Sequence, residues 1–294
     1  MMAFSKIFIE IYRLILLRNT DTTFWIKRIK NRPSSDVVLS LTILPSRLKG
    51  FKPTLNSLTD QNTLPKKIII NYPTSFLRDK SDIKIPNFVK NHPLVEINKI
   101  ENDLGPATKL LPTLKKYTDS PDQLIVVVDD DQIYSKSLVE SYSTYREELG
   151  DVAMTVSGWS VPKSYNHADR TQVYGAIVRI YRRDNAIKTP QRVDCLQGAS
   201  SYAVMPKLFT SEVFNYENAP NEAFYVDDIW FSGHLAVAKS PVYVIPLSCR
   251  FGRFVSVRQQ NDISLSKAVN SNHQNNNILY QYFEKHWHSL NILK

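Results

Sequence analysis

The run of apolar residues at 124–128, followed at once by Asp129, Asp130 and Asp131, constrains the fold more than any other feature of this chain. Five successive apolar residues are typical of a buried strand, in which side chains two positions apart point to the same side. Asp129 and Asp131 are therefore predicted to share one face, with Asp130 on the other. Like charges at this spacing repel each other unless a positive group lies between them, and a hard divalent cation is the usual occupant. The end of this strand predicts a metal site.

Short apolar runs alternate with stretches of helical periodicity over most of the sequence. This alternation predicts an α/β fold with a single Rossmann-like, mostly parallel sheet flanked by helices. Strands are predicted at residues 37–44, 67–70, 94–97, 124–128, 152–156 and 242–245. Helices are predicted at residues 48–61, 108–117 and 137–148.

Composition limits the class of protein. A chain of 294 residues with 43% hydrophobic content can bury a sizeable core, which argues against a disordered chain or a fibre. The 37 lysines and arginines exceed the 28 aspartates and glutamates and give a net charge of +9. This charge favours a phosphate-bearing ligand, an anionic membrane surface or a nucleic acid. Cys195 and Cys249 have no zinc-ligand spacing, so no disulfide framework is expected and a reducing compartment is predicted.

Residues 1–34 form a separate N-terminal segment in the predicted organisation. Apolar residues such as Phe4, Ile11 and Leu14 recur in it at helical spacing, among positive charges. The segment is too short and too charged to cross a bilayer. It predicts either an amphipathic helix on a membrane surface or a helix that packs its apolar stripe on the main domain. The expected location is cytoplasmic, peripheral on the inner face of a membrane in the first case.

Several unusual residues fall where strands of the predicted sheet end. Pro45 and Arg47 follow the first strand, and Asn71 ends the second. Ligands of open α/β sheets bind at the carboxyl ends of the strands, so these residues are expected beside the three aspartates. A second acidic pair, Asp227 and Asp228, precedes an apolar helical pattern. Because aspartate is also a preferred N-cap, this pair is a structural cap, a functional pair or both.

The eight glycines form neither G-x-x-x-x-G-K-[ST] nor G-x-G-x-x-G. This argues against a P-loop nucleotidase and against a dinucleotide-dependent oxidoreductase. Phosphate charge would then be neutralised by the metal and by basic side chains. Lys109 follows a Gly-Pro turn at a predicted helix start, where it would meet a phosphate; a solvated helical lysine is the alternative.

Taken in order, the motifs of residues 35–246 resemble those of GT-A fold glycosyltransferases. A lone D-x-D is a weak signal, but the ordered set is similar to an inverting, family-2-like branch of nucleotide-sugar transferases found in bacteria and large viruses. The motifs are D-x-G-P-A-T-K-L-L-P at 103–112, V-V-D-D-D-x-x-Y at 127–134, S-G-W at 157–159, L-Q-G at 196–198 and V-D-D-I-W-x-S-G-H-L-A at 226–236. The resemblance implies a GT-A catalytic domain at residues 35–258, followed by a polar loop and a C-terminal helix at residues 259–294.

The resemblance implies a donor site around the three aspartates. Asp131, with Asp129, would bind Mn²⁺ or Mg²⁺ that bridges a nucleoside diphosphate. Asp129 and Asp130 would also hold ribose or sugar hydroxyls. The other residues implied for the donor are Pro45, Arg47, Asn71 and Lys109.

For the sugar and acceptor the resemblance implies Trp159, Gly198 and Ala199. Trp159 offers an apolar face to a sugar ring, with an ordinary core position as the alternative, and Gly198 permits close backbone approach. Direct displacement with inversion is implied, with Asp228 as the general base and Asp227 in support. The resembled enzymes carry a glutamate where this chain has Asp227, so the division of labour between the two aspartates stays open.

The implied activity is that of a hexosyl- or deoxyhexosyltransferase. It would move a sugar from a nucleoside-diphosphate sugar, with UDP as the expected nucleotide, to a hydroxyl of a glycan or glycolipid acceptor. Nucleic acid is not an expected partner.

Two other functions fit part of the sequence. An Asp-x-Asp after an apolar strand also occurs in haloacid-dehalogenase-like, Mg²⁺-dependent phosphohydrolases, where the first aspartate is a nucleophile. In those enzymes the motif follows the opening strand and continues with Thr or Val, whereas here it continues with Gln132 and Ile133. A non-catalytic carbohydrate- or nucleic-acid-binding module would explain the positive charge but not the acidic clusters.

Overall fold

An eight-stranded sheet organises the described part of the chain, which in the computed structural model comprises residues 2–77, 84–161, 187–198, 201–246 and 274–287. Its strand order is β3-β2-β1-β4-β9-β5-β10-β7, and a separate ladder pairs β6 with β8. The strands are β1 Val38–Thr42, β2 Lys67–Pro73, β3 Val95–Ile100, β4 Ile125–Val128, β5 Ala153–Thr155, β6 Gly158–Trp159, β7 Gln191–Val193, β8 Cys195–Leu196, β9 Ser201–Val204 and β10 Val242–Val244.

Most strands of the large sheet run in one direction. β1 pairs in parallel with both β2 and β4, β2 with β3, and β5 with β10. β9 is antiparallel to β4 and β5, and β7 is antiparallel to β10. The predicted α/β class with one mostly parallel sheet is therefore confirmed, and all six predicted strands are present.

Helices connect and cover the strands. They are α1 Met2–Asn19, α2 Thr22–Ile26, α3 Lys52–Thr59, α4 Asn87–Lys90, α5 Leu111–Lys116, α6 Leu138–Leu149, α7 Asp227–Val237 and α8 Gln274–Tyr282. The predicted helix at 48–61 is shorter than expected, because the chain after β1 first forms a 3-10 turn at Pro45–Gly50. A second 3-10 turn, Gly105–Lys109, precedes α5 and likewise shortens the predicted helix at 108–117. Both turns carry a proline in the first positions, where the missing N–H costs no hydrogen bond.

The central strands are buried along their whole length. Every residue of β4 is buried, as expected for a strand with neighbours on both sides and helices over both faces. Continuous apolar runs such as Ile125–Val128 suit this position better than an alternating pattern does. Because the buried strand ends at Val128, the three aspartates that follow it lie at the edge of the hydrophobic core.

A buried ion-pair group attaches the N-terminal helices to the sheet domain. The fully buried carboxylate of Asp60, at the end of α3, lies 2.8 Å from Arg13 Nε and 2.8 Å from Arg32 Nη2. Leu17 and Trp25 pack against Ile133 in a small apolar cluster beside it. The two helices are thus held on α3 and on the segment that follows β4. In the part of the chain that the structure describes, no helix is long and apolar enough to span a membrane.

The C-terminal helix α8 packs on α7. A Cβ added to Gly233 would lie 2.2 Å from the ring of Phe283, so the glycine allows the two segments to approach closely. Helix α8 lies within the predicted C-terminal segment 259–294, of which residues 259–273 and 288–294 lie outside the described residues.

Candidate active site at the carboxyl edge of the sheet

The turn that carries the three aspartates is fixed by hydrogen bonds from its neighbours. The Asp129 N–H donates to the Tyr134 hydroxyl at 2.7 Å, and Thr54 Oγ1 donates to the Asp130 carbonyl at 3.1 Å. Tyr134 belongs to the same turn, and Thr54 lies on α3. Side chains on both sides of the turn therefore hold its backbone in one conformation.

The three carboxylates differ in their access to solvent. The side chains of Asp129 and Asp131 are 24% and 27% exposed, whereas that of Asp130 is buried. The difference in exposure matches the predicted one, although the residues form a turn and Asp130 and Asp131 both lie near Arg47 Nη1. Asp129 and Asp131 are the two aspartates of this turn that a ligand can reach most easily.

Arg47 neutralises the buried member of the turn. It lies in the 3-10 turn that Pro45 begins, and its Nη1 is 2.9 Å from Asp130 Oδ1 and 3.7 Å from Asp131 Oδ2. Burial raises the pKa of Asp130 to about 6, although the Arg47 guanidinium opposes this rise. Pro45 itself is buried and serves to place Arg47.

Lys109 joins the two acidic clusters. Its buried ammonium nitrogen lies 3.1 Å from Asp227 Oδ2, 3.8 Å from Asp129 Oδ1 and 3.5 Å from the Gly198 carbonyl oxygen. Burial lowers the pKa of Lys109, but the carboxylates of Asp227, Asp129 and Asp228 together raise it well above its usual value. The lysine is therefore a permanently charged centre, and the alternative of a solvated helical lysine is wrong.

Asp228 lies beside this centre at the first turn of α7. The Gly198 N–H donates a hydrogen bond to its Oδ1 at 2.8 Å, and among the described residues none donates to its Oδ2. Burial and the neighbouring Asp227 raise the pKa of Asp228 to about 8, against the opposing charge of Lys109. Once it has ionised, a carboxylate with such a pKa is a stronger base than an ordinary aspartate.

Gly198 has no room for a side chain. An added Cβ would lie 2.2 Å from Asp228 Oδ1 and 2.8 Å from Lys109 Nζ. A glycine is therefore required where the backbone crosses the acidic pair. Ala199, predicted with it for the sugar or acceptor, lies outside the described residues.

The structure corrects the prediction for Asn71. Its side chain is fully buried and donates to Ser40 Oγ at 3.1 Å and to Thr113 Oγ1 at 2.9 Å, while Asn98 donates to its Oδ1 at 2.7 Å. Ser40 Oγ in turn donates to the Lys109 carbonyl at 2.6 Å. Asn71 is thus part of a buried polar network that supports the Lys109 segment, and it presents no surface to a nucleoside.

Trp159 also differs from its predicted sugar-binding role. It is 4% exposed within the hydrophobic core, and its indole N–H donates to the Tyr280 hydroxyl at 2.8 Å. The alternative of an ordinary core tryptophan is the one that fits. An S-G-W motif does not reveal this, because a stacking and a packing tryptophan look alike in sequence.

Two tyrosines lie beside the site and were not predicted. Tyr202, on β9, has its ring centroid 5.8 Å from Lys109 Nζ, and its buried hydroxyl has no hydrogen-bond partner among the described residues. Tyr134, which caps the acidic turn, is the final residue of the V-V-D-D-D-x-x-Y motif. The spacing to the motif was the only signal for Tyr134, and Tyr202 had none.

The residues of the acidic turn fit a hard divalent cation in part. Carboxylate oxygens are the right donors, and Asp129 and Asp131 could supply two. Within the described ranges no group of three or more His, Cys, Asp or Glu side chains is arranged to hold a metal. The remaining ligands would have to be water and substrate oxygens, as is usual for Mg²⁺ with phosphates.

Comparison with known proteins gives structural likenesses only. Neither a family model nor a curated protein sequence matches the chain. Among solved structures, residues 1–349 of S. aureus TarS have a TM-score of 0.38 and 14% identity, over 73% of this chain and 58% of that chain. GalNAc-T7 with UDP, GalNAc and Mn²⁺ has a TM-score of 0.43 and 12% identity, over 74% of this chain and 43% of that one. The chain thus spans about half the length of these two.

A further solved structure, 4-diphosphocytidyl-2C-methyl-D-erythritol synthase, has a TM-score of 0.40 and 13% identity, over 81% of this chain and 99% of that chain. TarS residues 1–349 have also been solved with UDP and with UDP-GlcNAc.

Proposed function

We propose that this chain is a metal-assisted, inverting glycosyltransferase. It would transfer a sugar from a nucleoside-diphosphate sugar, with UDP as the expected nucleotide, to a hydroxyl of a glycan or lipid-linked acceptor. The observation that supports this best is the single buried ammonium of Lys109, which brings Asp129 of one acidic cluster and Asp227 of the other to one place. The acidic turn proposed for the donor and the acidic pair that contains the proposed base are thereby joined at the carboxyl edge of the sheet.

The donor would lie on the side of Lys109 and the acidic turn. A nucleoside diphosphate is strongly negative, and Lys109 and Arg47 are the basic groups next to the exposed carboxylates. Asp131 and Asp129 would hold the Mn²⁺ or Mg²⁺ ion. Such an ion neutralises charge on a departing diphosphate. Lys109 would contribute further positive charge to the same leaving group.

Asp228 is the proposed general base. Asp227 is paired with Lys109, which fixes its position, whereas Asp228 has one oxygen oriented by the Gly198 N–H and, among the described residues, no donor to its other oxygen. The acceptor hydroxyl would lose its proton to Asp228 as its oxygen bonds to the anomeric carbon. The bond from that carbon to the diphosphate oxygen breaks on the opposite face, so the configuration inverts.

The first experiment is a thermal-shift screen of nucleotides and nucleotide sugars, with and without Mn²⁺. A ligand that binds the folded state raises the unfolding temperature, since it stabilises only that state. We expect UDP or a UDP-sugar to raise it, and to raise it further with metal. If UDP, GDP and their sugars all fail with metal present, the transferase proposal is refuted. Phosphate release from simple phosphomonoesters would support the phosphohydrolase alternative instead.

The second experiment tests the base. Asp228→Asn should reduce transfer by about 10²–10⁴-fold, the usual worth of a positioned general base, and leave donor binding intact. Asp122→Asn is the matched control, because Asp122 lies on the surface in an ion pair with Lys207. Full activity of the Asp228→Asn variant would exclude this residue as the base.

A further inference from the structure

Helix α1 exposes a row of large apolar side chains. Ile9, Ile11, Tyr12 and Ile15 are 65%, 43%, 63% and 52% exposed. Together with the exposed ring of Phe24 on α2, they are five of the seven large hydrophobic side chains that are exposed in the described parts of the chain. Single exposed apolar residues are common, but a cluster of this kind marks an interaction surface.

These side chains lie on one face of the helix. At 3.6 residues per turn, the four α1 positions fall within an arc of about 160°. Leu17 lies on the opposite side of the helix and Arg13 lies about 40° from Ile9, beside the exposed arc; both contact the sheet domain. We call the exposed side chains of Ile9, Ile11, Tyr12, Ile15 and Phe24 the apolar face.

Helix α1 has apolar side chains on two sides, with Leu17 packed on the sheet domain and the isoleucines of the apolar face exposed. A helix on a globular protein normally turns its apolar side to the core and its charged side to water. Here the charged Arg13 points inward to Asp60, while the isoleucines point outward. The helix is firmly held in this orientation, because Asn56 Nδ2 also donates to the Leu17 carbonyl at 3.0 Å. Its packing on the sheet domain therefore leaves the apolar face uncovered by the rest of the described chain.

Positive charge borders the apolar face. The side chains of Arg18, Lys27, Arg28 and Lys30 are exposed. The guanidinium of Arg28 lies 4.5 Å from the centroid of the Phe24 ring. The first 34 residues contain seven basic and two acidic residues. Apolar side chains bordered by lysine and arginine complement the acyl chains and head groups of an anionic bilayer.

We propose that the apolar face and its basic border dock on an anionic lipid membrane. The helix would lie in the plane of the interface, since α1 does not have the length and apolar content to span a bilayer. In this arrangement, the isoleucines of the apolar face would enter the boundary of the acyl chains, and the lysines and arginines of the basic border would contact the head groups.

Docking would bring the proposed active site to the membrane. Arg13 Nη1 donates to the Tyr134 carbonyl at 3.0 Å, and the Tyr134 hydroxyl accepts the N–H of Asp129 at 2.7 Å. Two residues thus connect α1 to the acidic turn, which keeps the turn at a fixed distance from the docked helix. This part of the inference rests on the proposed function, and it favours a lipid-linked acceptor over a soluble glycan.

Vesicle sedimentation with the full chain tests the docking. We expect binding to phosphatidylcholine vesicles that contain phosphatidylglycerol, and binding at least about tenfold weaker to phosphatidylcholine alone. Ile11→Asp/Ile15→Asp should weaken binding to the anionic vesicles by about tenfold or more, because two apolar side chains no longer enter the interface. Leu77→Asp is the matched control, since Leu77 is 66% exposed but belongs to the loop after β2, and it should bind as the wild type does.

Three results would overturn the docking proposal. The first is equal vesicle binding by Ile11→Asp/Ile15→Asp and the wild type, and the second is equal binding of the wild type to neutral and anionic vesicles. The third is a dimer in light scattering without lipid that Ile11→Asp/Ile15→Asp makes monomeric, which would assign the face to a second copy of the chain. Unchanged unfolding temperatures confirm that the variants are folded. Membrane binding is measured without substrate, so it can succeed where the transferase proposal fails, and the reverse.

Discussion

Replacement of Lys109 by methionine tests the electrostatic centre of the site most directly. The ammonium is buried and lies 3.1 Å from Asp227 Oδ2. At an effective dielectric constant of about 20, the Coulomb attraction between two opposite unit charges at this separation is about 5 kcal/mol. Desolvation of the pair offsets part of this gain, but loss of one partner leaves the other charge buried and uncompensated, which costs about 3–5 kcal/mol. We expect Lys109→Met to lower the free energy of unfolding by that amount, although a methionine fills most of the same volume.

Urea denaturation with circular dichroism measures the loss, and Lys116→Met is the matched control. Lys116 also pairs with a carboxylate, that of Glu96, but at the surface. Such exposed pairs contribute about 0–1 kcal/mol, so the control should unfold close to the wild type. The double variant Lys109→Met/Asp227→Asn should recover about 1 kcal/mol or more relative to Lys109→Met, because the uncompensated carboxylate is gone.

A second, independent readout is the pH dependence of transfer. Burial and Asp227 raise the pKa of Asp228 to about 8, and Lys109 lowers it. The rate should therefore rise through about pH 8 in the wild type as the base ionises. In Lys109→Met this rising limb should move to higher pH. If Lys109→Met unfolds within 1 kcal/mol of the wild type and its pH profile is unchanged, the assignment of Lys109 as the shared counter-charge is wrong.

Four further predictions follow from buried groups. Asp60→Asn should lower the free energy of unfolding by about 3–5 kcal/mol, because it leaves the buried Arg13 guanidinium without its carboxylate. Asp21→Asn, at an exposed ion pair, should change it by less than about 1 kcal/mol in the same urea assay. Gly198→Ala should abolish sugar transfer, measured as UDP release, because the added Cβ displaces Asp228. It should also lower the free energy of unfolding by about 1–3 kcal/mol. As the pH rises from 4 to 8, the wild type should lose stability, because Asp228 ionises in the unfolded state before it ionises in the native state. Asp228→Asn should not show this loss, so its free energy of unfolding should increase relative to that of the wild type. A difference between the two proteins that stays constant over this pH range in urea titrations would contradict the prediction. Burial lowers the pKa of His234 to about 4, so the wild type should lose stability as the pH falls from 6.5 towards 4. His234→Leu should lose less stability between pH 7.5 and pH 5, as measured by urea titrations at these two values.

The sequence predicted the elements that have long, regular patterns. Six apolar runs became strands, and the class of the sheet followed from their alternation with helices. The strands β6 and β8 have two residues each, which is too short to show any periodicity. Ser201–Val204 combines polar, aromatic and small residues, and only its pairing with both β4 and β5 buries it. Such strands are specified by their neighbours and not by their own residues.

The sequence order places several of the predicted site residues at one edge of the sheet, and their roles stay predictions. Arg47 contacts Asp130 in the acidic turn, and Lys109 joins that turn to Asp227, the neighbour of Asp228. Asn71 was predicted at a strand end, but β2 continues to Pro73, and the Asn71 side chain points into a polar network with Ser40 and Thr113. Neighbouring side chains in a strand point to opposite faces, so a shift of one residue decides whether a side chain faces a ligand or a buried polar network. The local sequence pattern does not show which of the two applies.

The cations around the acidic turn show where a metal ion could enter with least rearrangement. Asp130 and Asp227 are held closely, at 2.9 Å from Arg47 and 3.1 Å from Lys109. Asp131 and Asp129 contact the same two side chains at the longer distances of 3.7 and 3.8 Å. These looser contacts belong to the two carboxylates that are also more exposed. In the proposed donor site, a divalent ion at Asp129 and Asp131 would compete with these longer ion pairs and with the hydrogen bond from Gln132 to Asp129, while the closer pairs would hold Arg47 and Lys109 in place.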